Sequence, residues 1–174
     1  MTTPHFDPDL AAIYLRHEQE AERAARLLAT SLRRCRAMFP LTGDTLKTLG
    51  EDAVERLDAF RVRLTDLQDC LGNKVFRALL ALEEESAATQ LDRLNAIEKR
   101  GLIASFETWK QWREVRNALT HDYPEHEDER SAALNQAFVL APDLIGVLLR
   151  TADYVRRTIL TDAAALDKGP LDHA

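Results

Sequence analysis

A chain of 174 residues with a formal net charge of −6 is ample for one domain and short for two, and its acidity argues against indiscriminate polyanion binding by the whole surface. Ala, Leu, Arg and Glu dominate, with six glycines, six prolines and 6% aromatics, so the composition favours helices with an aliphatic core. The 45% hydrophobic and 30% charged fractions are those of an ordinary soluble globular protein.

The opening residues, Met1-Thr-Thr-Pro-His5, have no basic stretch followed by an apolar one. Asp7-Pro8 reads as a helix start, a capping carboxylate followed by proline at the first helical position. Leu10, Ile13, Tyr14, Leu27, Leu28 and Leu32 then recur at helical spacing, which predicts a long first helix reaching Met38. Phe39-Pro-Leu-Thr-Gly-Asp44 breaks the pattern. A second long helix is expected from Glu51 to Leu71, with Val54, Leu57, Phe60 or Arg61, Leu64, Leu67 and Leu71 as its apolar stripe. Gly72-Asn73 should end or kink it before the pattern resumes from Lys74 to Glu85. The block Glu83-Glu84-Glu85 reads as a solvated helix end rather than a metal site.

Leu91, Leu94 and Ile97 define a short amphipathic helix, closed by Lys99-Arg-Gly101 in the usual order of cation then glycine. Ser105 is placed to cap the next helix, which should run to Leu119 or Thr120, since Pro124 disfavours helical geometry at Tyr123. After the acidic stretch Glu125-His-Glu-Asp-Glu129, a last helical region from Asp128 to Thr161 should be interrupted at Pro142. The most apolar part of it, Ala137 to Leu149, contains Pro142 and Asp143 and is too short to span a bilayer. Residues 162–174 have little to bury and are expected to fray. Cys35 and Cys70 read as buried free thiols in a reducing cytosol rather than a disulfide or metal pair. With no strand-like alternation and no repeat, the expected architecture over residues 1–161 is a single all-α domain. It is an up-and-down bundle of four main helices with one shorter accessory helix, located in the cytoplasm and not in a membrane.

The densest collection of functional side chains is Trp109-Lys-Gln-Trp-Arg-Glu-Val-Arg-Asn-Ala-Leu-Thr-His-Asp-Tyr123. Within it, Arg116, His121 and Tyr123 form an R-x4-H-x-Y string, with Asn117 beside the arginine. Arginine keeps its charge at any working pH and its planar fork matches phosphate oxygens. Histidine, with an ordinary pKa of about 6.5, gives or takes a proton near neutrality. The pair suits cleavage of a phosphodiester, and in RNA the strand's own 2′-hydroxyl can attack, so no metal or other cofactor is required. The bland alternative is an arginine on an exposed helix face with a histidine complementing the helix dipole. On a straight helix His121 lies roughly 140° from the stripe shared by Arg116 and Tyr123. Convergence therefore needs the helix to unwind between Leu119 and His121, or a second chain.

The string Arg116-Asn-Ala-Leu-Thr-His121-Asp-Tyr123 resembles the R-x4-6-H-x-Y signature of the HEPN superfamily. The stretches Asp52-Ala-Val-Glu-Arg-Leu-Asp-Ala-Phe60, Leu67-Gln-Asp69 and Leu94-Asn-Ala-Ile-Glu-Lys-Arg-Gly-Leu-Ile103 resemble its HepT-like branch. The likeness runs from Glu51 to Phe138. It implies a HEPN-like four-helix bundle that is the toxin of a type VII-like toxin–antitoxin pair, a metal-independent endoribonuclease whose two motifs meet at a homodimer cleft. By position, Arg116 would bind and polarise phosphate, His121 would act as general acid or base, and Asn117 would support them. Tyr123 matches the tyrosine that a minimal nucleotidyltransferase antitoxin modifies with AMP.

Two-fold symmetry would supply both a proton acceptor and a proton donor from one sequence position. It would also gather Lys110, Arg113 and Arg116 from both chains into a local positive cleft for RNA. Trp112 or Trp109 could stack a base there, with core packing as the plainer role. Two other readings stand beside the nuclease. One is a non-catalytic HEPN-like subunit that binds or regulates a nucleotidyltransferase. The other is a divalent-metal site in His121, Asp122, Glu125, His126, Glu127 and Asp128, whose spacing fits no standard pattern and suits a solvated acidic loop better.

Overall fold

The computed structural model describes residues 6–120 and 126–160, and all regular structure among them is helical. The elements are α1 (Pro8–Cys35), α2 (Gly43–Lys47), α3 (Glu51–Cys70), a π-helical turn (Leu71–Val75), α4 (Phe76–Leu82), α5 (Gln90–Lys99), α6 (Phe106–Thr120) and α7 (Glu127–Thr158). The tail from Asp162 onward and the motif residues His121 and Tyr123 lie outside the described residues.

The local stop and start signals act where the sequence places them. The Asp7 carboxylate accepts the amides of Asp9 and Leu10, and Pro8 opens α1. That helix ends at Cys35 and tightens into a 3-10 turn over Arg36–Met38. Gly101, at φ 68, follows the end of α5, and the Ser105 hydroxyl accepts the Thr108 amide at 3.0 Å at the start of α6. Phe39 and Pro40 are joined by a cis peptide bond. Phe39 stacks on Phe138, and Asn135 holds the loop by accepting the Leu41 amide (2.7 Å) and donating to its carbonyl (2.8 Å).

Two expected breaks are absent. Gly72-Asn73 does not end the helix: the chain passes through in a wider turn in which the Phe76 amide donates to the Leu71 carbonyl five residues back. The reason is tertiary. Leu71, Val75 and Phe76 are fully buried, and Gly72 lets the Trp109 ring approach to where a Cβ would sit 3.3 Å from it. Nor does Pro142 interrupt α7, which runs unbroken for 32 residues. Proline forfeits one helical hydrogen bond and crowds the preceding turn, but it sits on the outward side between buried Ala141 and Leu144. The apolar face of α7 offsets that loss by packing.

The long helices run antiparallel to their neighbours. Cys35 lies by the Arg56 carbonyl, Ser31 by Arg63 and His17 by Cys70, which aligns α1 against α3. Arg150 reaches the Leu102 carbonyl just before α6, and Arg156 lies 2.7 Å from buried Glu18 of α1. One core joins these helices, centred on Phe60, Leu67, Phe76, Trp109, Leu134 and Leu148. On the expected stripes, Phe60 rather than Arg61 is buried, while Val54 and Leu91 are 38% and 49% exposed. Because Pro142 does not divide it, α7 is long and apolar enough by length and composition to cross a membrane. One face of it nonetheless lies in the core.

The triple-glutamate block is not a purely solvated end. Arg100 pairs with Glu83 and Glu85, and Tyr154 donates to Glu83 at 2.5 Å, which ties α5, the end of α4 and α7 together. Cys35 and Cys70 are free and buried. Burial pushes the Cys70 thiol up to about 11, and the Glu20 carboxylate pushes it the same way. The neutral thiol is thus the form that fits. Its contribution to stability holds below the ordinary value of 9.0 and declines as the pH climbs from there towards 11. At pH 8 the native Cys70 should react with a thiol reagent about a hundredfold more slowly than in the unfolded chain, since two pKa units separate their thiolate fractions. A timed alkylation followed by peptide mass analysis reads this directly.

Candidate functional site

The amphipathic pattern of α6 decides which motif-region side chains reach the surface. Trp109, Trp112, Val115 and Leu119 face the core. Lys110, Arg113, Glu114 and Asn117 are exposed, and Arg116 is half-buried between the two faces. Trp112 is therefore a core residue, its ring centroid 5.7 Å from that of Trp109, and is not an exposed stacking surface for a base. Trp109 is more deeply buried still and packs against Phe76.

Arg116 is fixed by two partners. Its Nη2 donates to Asp69 Oδ2 at 2.5 Å, and its Nη1 donates to Asn117 Oδ1 at 3.2 Å. Asn117 thus holds the guanidinium of its chain neighbour. Asp69, in the last turn of α3, has no role in the sequence reading beyond belonging to Leu67-Gln-Asp69. No local pattern links it to an arginine 47 positions away. The ion pair bridges α3 to α6 just before the π-turn. The arginine's Nε is buried and has no hydrogen-bond partner among the described residues.

The described part of helix α6 reaches Thr120, whose hydroxyl donates back to the Asn117 carbonyl at 2.7 Å. A groove of about 420 Å³ lies there, lined by Asp58, Arg61, Val62, Thr65, Asp66, Leu119 and Thr120. On the other side of α3 a second groove of about 470 Å³ includes Arg23, Asp66, Asp69, Asn73 and Lys74. Lys110 faces Glu114 at 4.0 Å and Arg113 donates to Gln90 at 3.1 Å, so both keep donors available at the surface. No cluster of metal-ligand type occurs among the described residues, and His126 sits 3.4 Å from Glu129 in the first turn of α7.

Asp69 makes a testable positioning residue. Asp69→Asn keeps an acceptor but removes the charge that both orients and partly neutralises Arg116. If Arg116 grips phosphate, RNA should bind several-fold more tightly, and turnover should fall by about tenfold as the fork loses its anchor. Separate kcat and KM values check this, because a purely structural defect would worsen both.

No family model, curated protein or solved structure matches the chain.

Proposed function

We propose that this chain is a HEPN-like ribonuclease toxin, a cytosolic, metal-independent endoribonuclease that works as a homodimer and is restrained by a minimal nucleotidyltransferase antitoxin. The observation that carries the reading is the held arginine. Arg116 is oriented by Asp69 and Asn117 in the last described turn of α6, five residues ahead of His121 in the chain. A free surface arginine needs no such anchoring, and a phosphate clamp benefits from it.

In the proposed reaction the 2′-hydroxyl attacks the adjacent phosphorus and the P–O5′ bond breaks, leaving a 2′,3′-cyclic phosphate and a 5′-hydroxyl. One His121 takes the 2′-hydroxyl proton, and the partner's His121 gives a proton to the departing oxygen. Arg116 steadies the added charge on the non-bridging oxygens. AMP on Tyr123 would place a negative phosphate and a bulky nucleotide beside that cation and compete with RNA for it.

The test is cleavage of single-stranded RNA by purified chain in excess chelator. Wild type should cleave and His121→Ala should not. Equal growth on induction of both, with no cleavage by either, sinks the nuclease. In that case the second reading, a non-catalytic subunit for a nucleotidyltransferase, takes its place. The Asp69 contact favours this second reading in one respect, since it neutralises the cation that RNA would need. Co-expression with the partner should add AMP to wild type and not to Tyr123→Phe, as read by intact mass.

A further inference from the structure

Away from α6, the turn between α4 and α5 encloses a recess of about 310 Å³ lined by Arg77, Leu80, Ala81, Glu85, Ala87, Ala88 and Arg93. We propose that it binds a phosphate-bearing anion between Arg77 and Arg93. Arg93 is only 6% exposed, yet the one hydrogen bond its side chain makes among the described residues is a long one, from Nη1 to the Gly72 carbonyl at 3.4 Å. A guanidinium has five N–H donors, so most of its capacity is not taken up by protein acceptors. Arg77 is exposed and has no hydrogen-bond or ion-pair partner among the described residues.

Two like charges therefore face one recess without a carboxylate of their own. Burial, together with the charge on Arg77, pushes Arg93 down from its ordinary value. Glu85, the acidic group lining the recess, is engaged by Arg100. Asp92, next to Arg93, is turned back onto the Thr89 amide and hydroxyl. The recess also lies at the N-terminal end of α5, where the helix dipole favours an anion. A phosphate with two or three free oxygens can accept from both planar forks at once, which neither chloride nor an isolated carboxylate does as well. The small side chains of Ala81, Ala87 and Ala88 leave room for what the phosphate is attached to.

The experiment is calorimetric titration of wild type, Arg77→Ala and Arg116→Ala with inorganic phosphate, AMP and a short single-stranded RNA, at matched ionic strength in chloride. Arg77 is exposed, so its replacement leaves the fold intact, and Arg93→Met is added where it folds. With phosphate and AMP, wild type and Arg116→Ala should bind alike, and Arg77→Ala about 10–100-fold more weakly. That dependence with phosphate and AMP assigns the site to free phosphate compounds, and with RNA alone to the strand backbone. Equal affinity of wild type and Arg77→Ala for all three ligands overturns the proposal. So does phosphate binding that is lost in Arg116→Ala but kept in Arg77→Ala. Because the readout is binding, and Arg116→Ala removes the proposed catalytic cation, the result stands apart from whether the chain cleaves RNA.

Discussion

Arg116→Ala should lower RNA cleavage by about 10²–10³-fold, the loss that follows when a fixed donor is taken from developing negative charge. Arg116→Lys should recover little of it. Lysine keeps the charge, but a single ammonium cannot hold Asp69 and Asn117 and also present donors to a phosphate, as the guanidinium's geometry allows. Neither substitution should unfold the protein. The Arg116–Asp69 pair is partly solvated, 25% and 47% exposed at the two side chains, and such pairs contribute about 0–1 kcal/mol. A thermal midpoint close to wild type, together with lost cleavage, would separate chemistry from folding. Undiminished cleavage by folded Arg116→Ala would instead remove the arginine from the reaction.

Much of the helical layout is legible in the sequence because helix ends are local events. Asp7-Pro8, Ser105 and Gly101 act through hydrogen bonds and dihedral angles reaching no more than a few residues, so their signals survive without tertiary context. The failures are non-local. Gly72 looks like a break by propensity, but its function is to make room for a ring that lies 37 positions ahead in the chain, at Trp109. Pro142 looks like an interruption, but its cost is carried by the packing of Leu134, Ala137, Leu144 and Leu148 on either side. Asp69 follows the same logic. Nothing near it in the chain signals a partner, and only the packing of α3 against α6 brings it to Arg116. Trp112 differs again: its position on the α6 stripe is visible in the spacing, and the stripe alone puts its ring inside.

Trp109→Ala should be among the most damaging single substitutions in the core, costing about 3–5 kcal/mol. The indole is 1% exposed, with its ring centroid 5.1 Å from Phe76 and 5.7 Å from Trp112, and it presses on the π-turn at Gly72. Removing it leaves a void where α6 packs on the π-turn and the start of α4. Such a loss is a large share of the roughly 5–15 kcal/mol that holds a domain together, and denaturant unfolding should show a much lower midpoint. Trp109→Phe, which keeps an aromatic surface, should lose less. The damage should also reach the site. Trp109 lies on the same helix as Arg116 and fixes α6 against the segment that follows Asp69. A loosened α6 therefore lets the Arg116–Asp69 contact lapse before global unfolding. Hydrogen exchange should then rise first at the amides around Val115–Thr120 in Trp109→Phe. Protection there equal to wild type would mean that the α3–α6 ion pair holds this part of the helix without help from the ring.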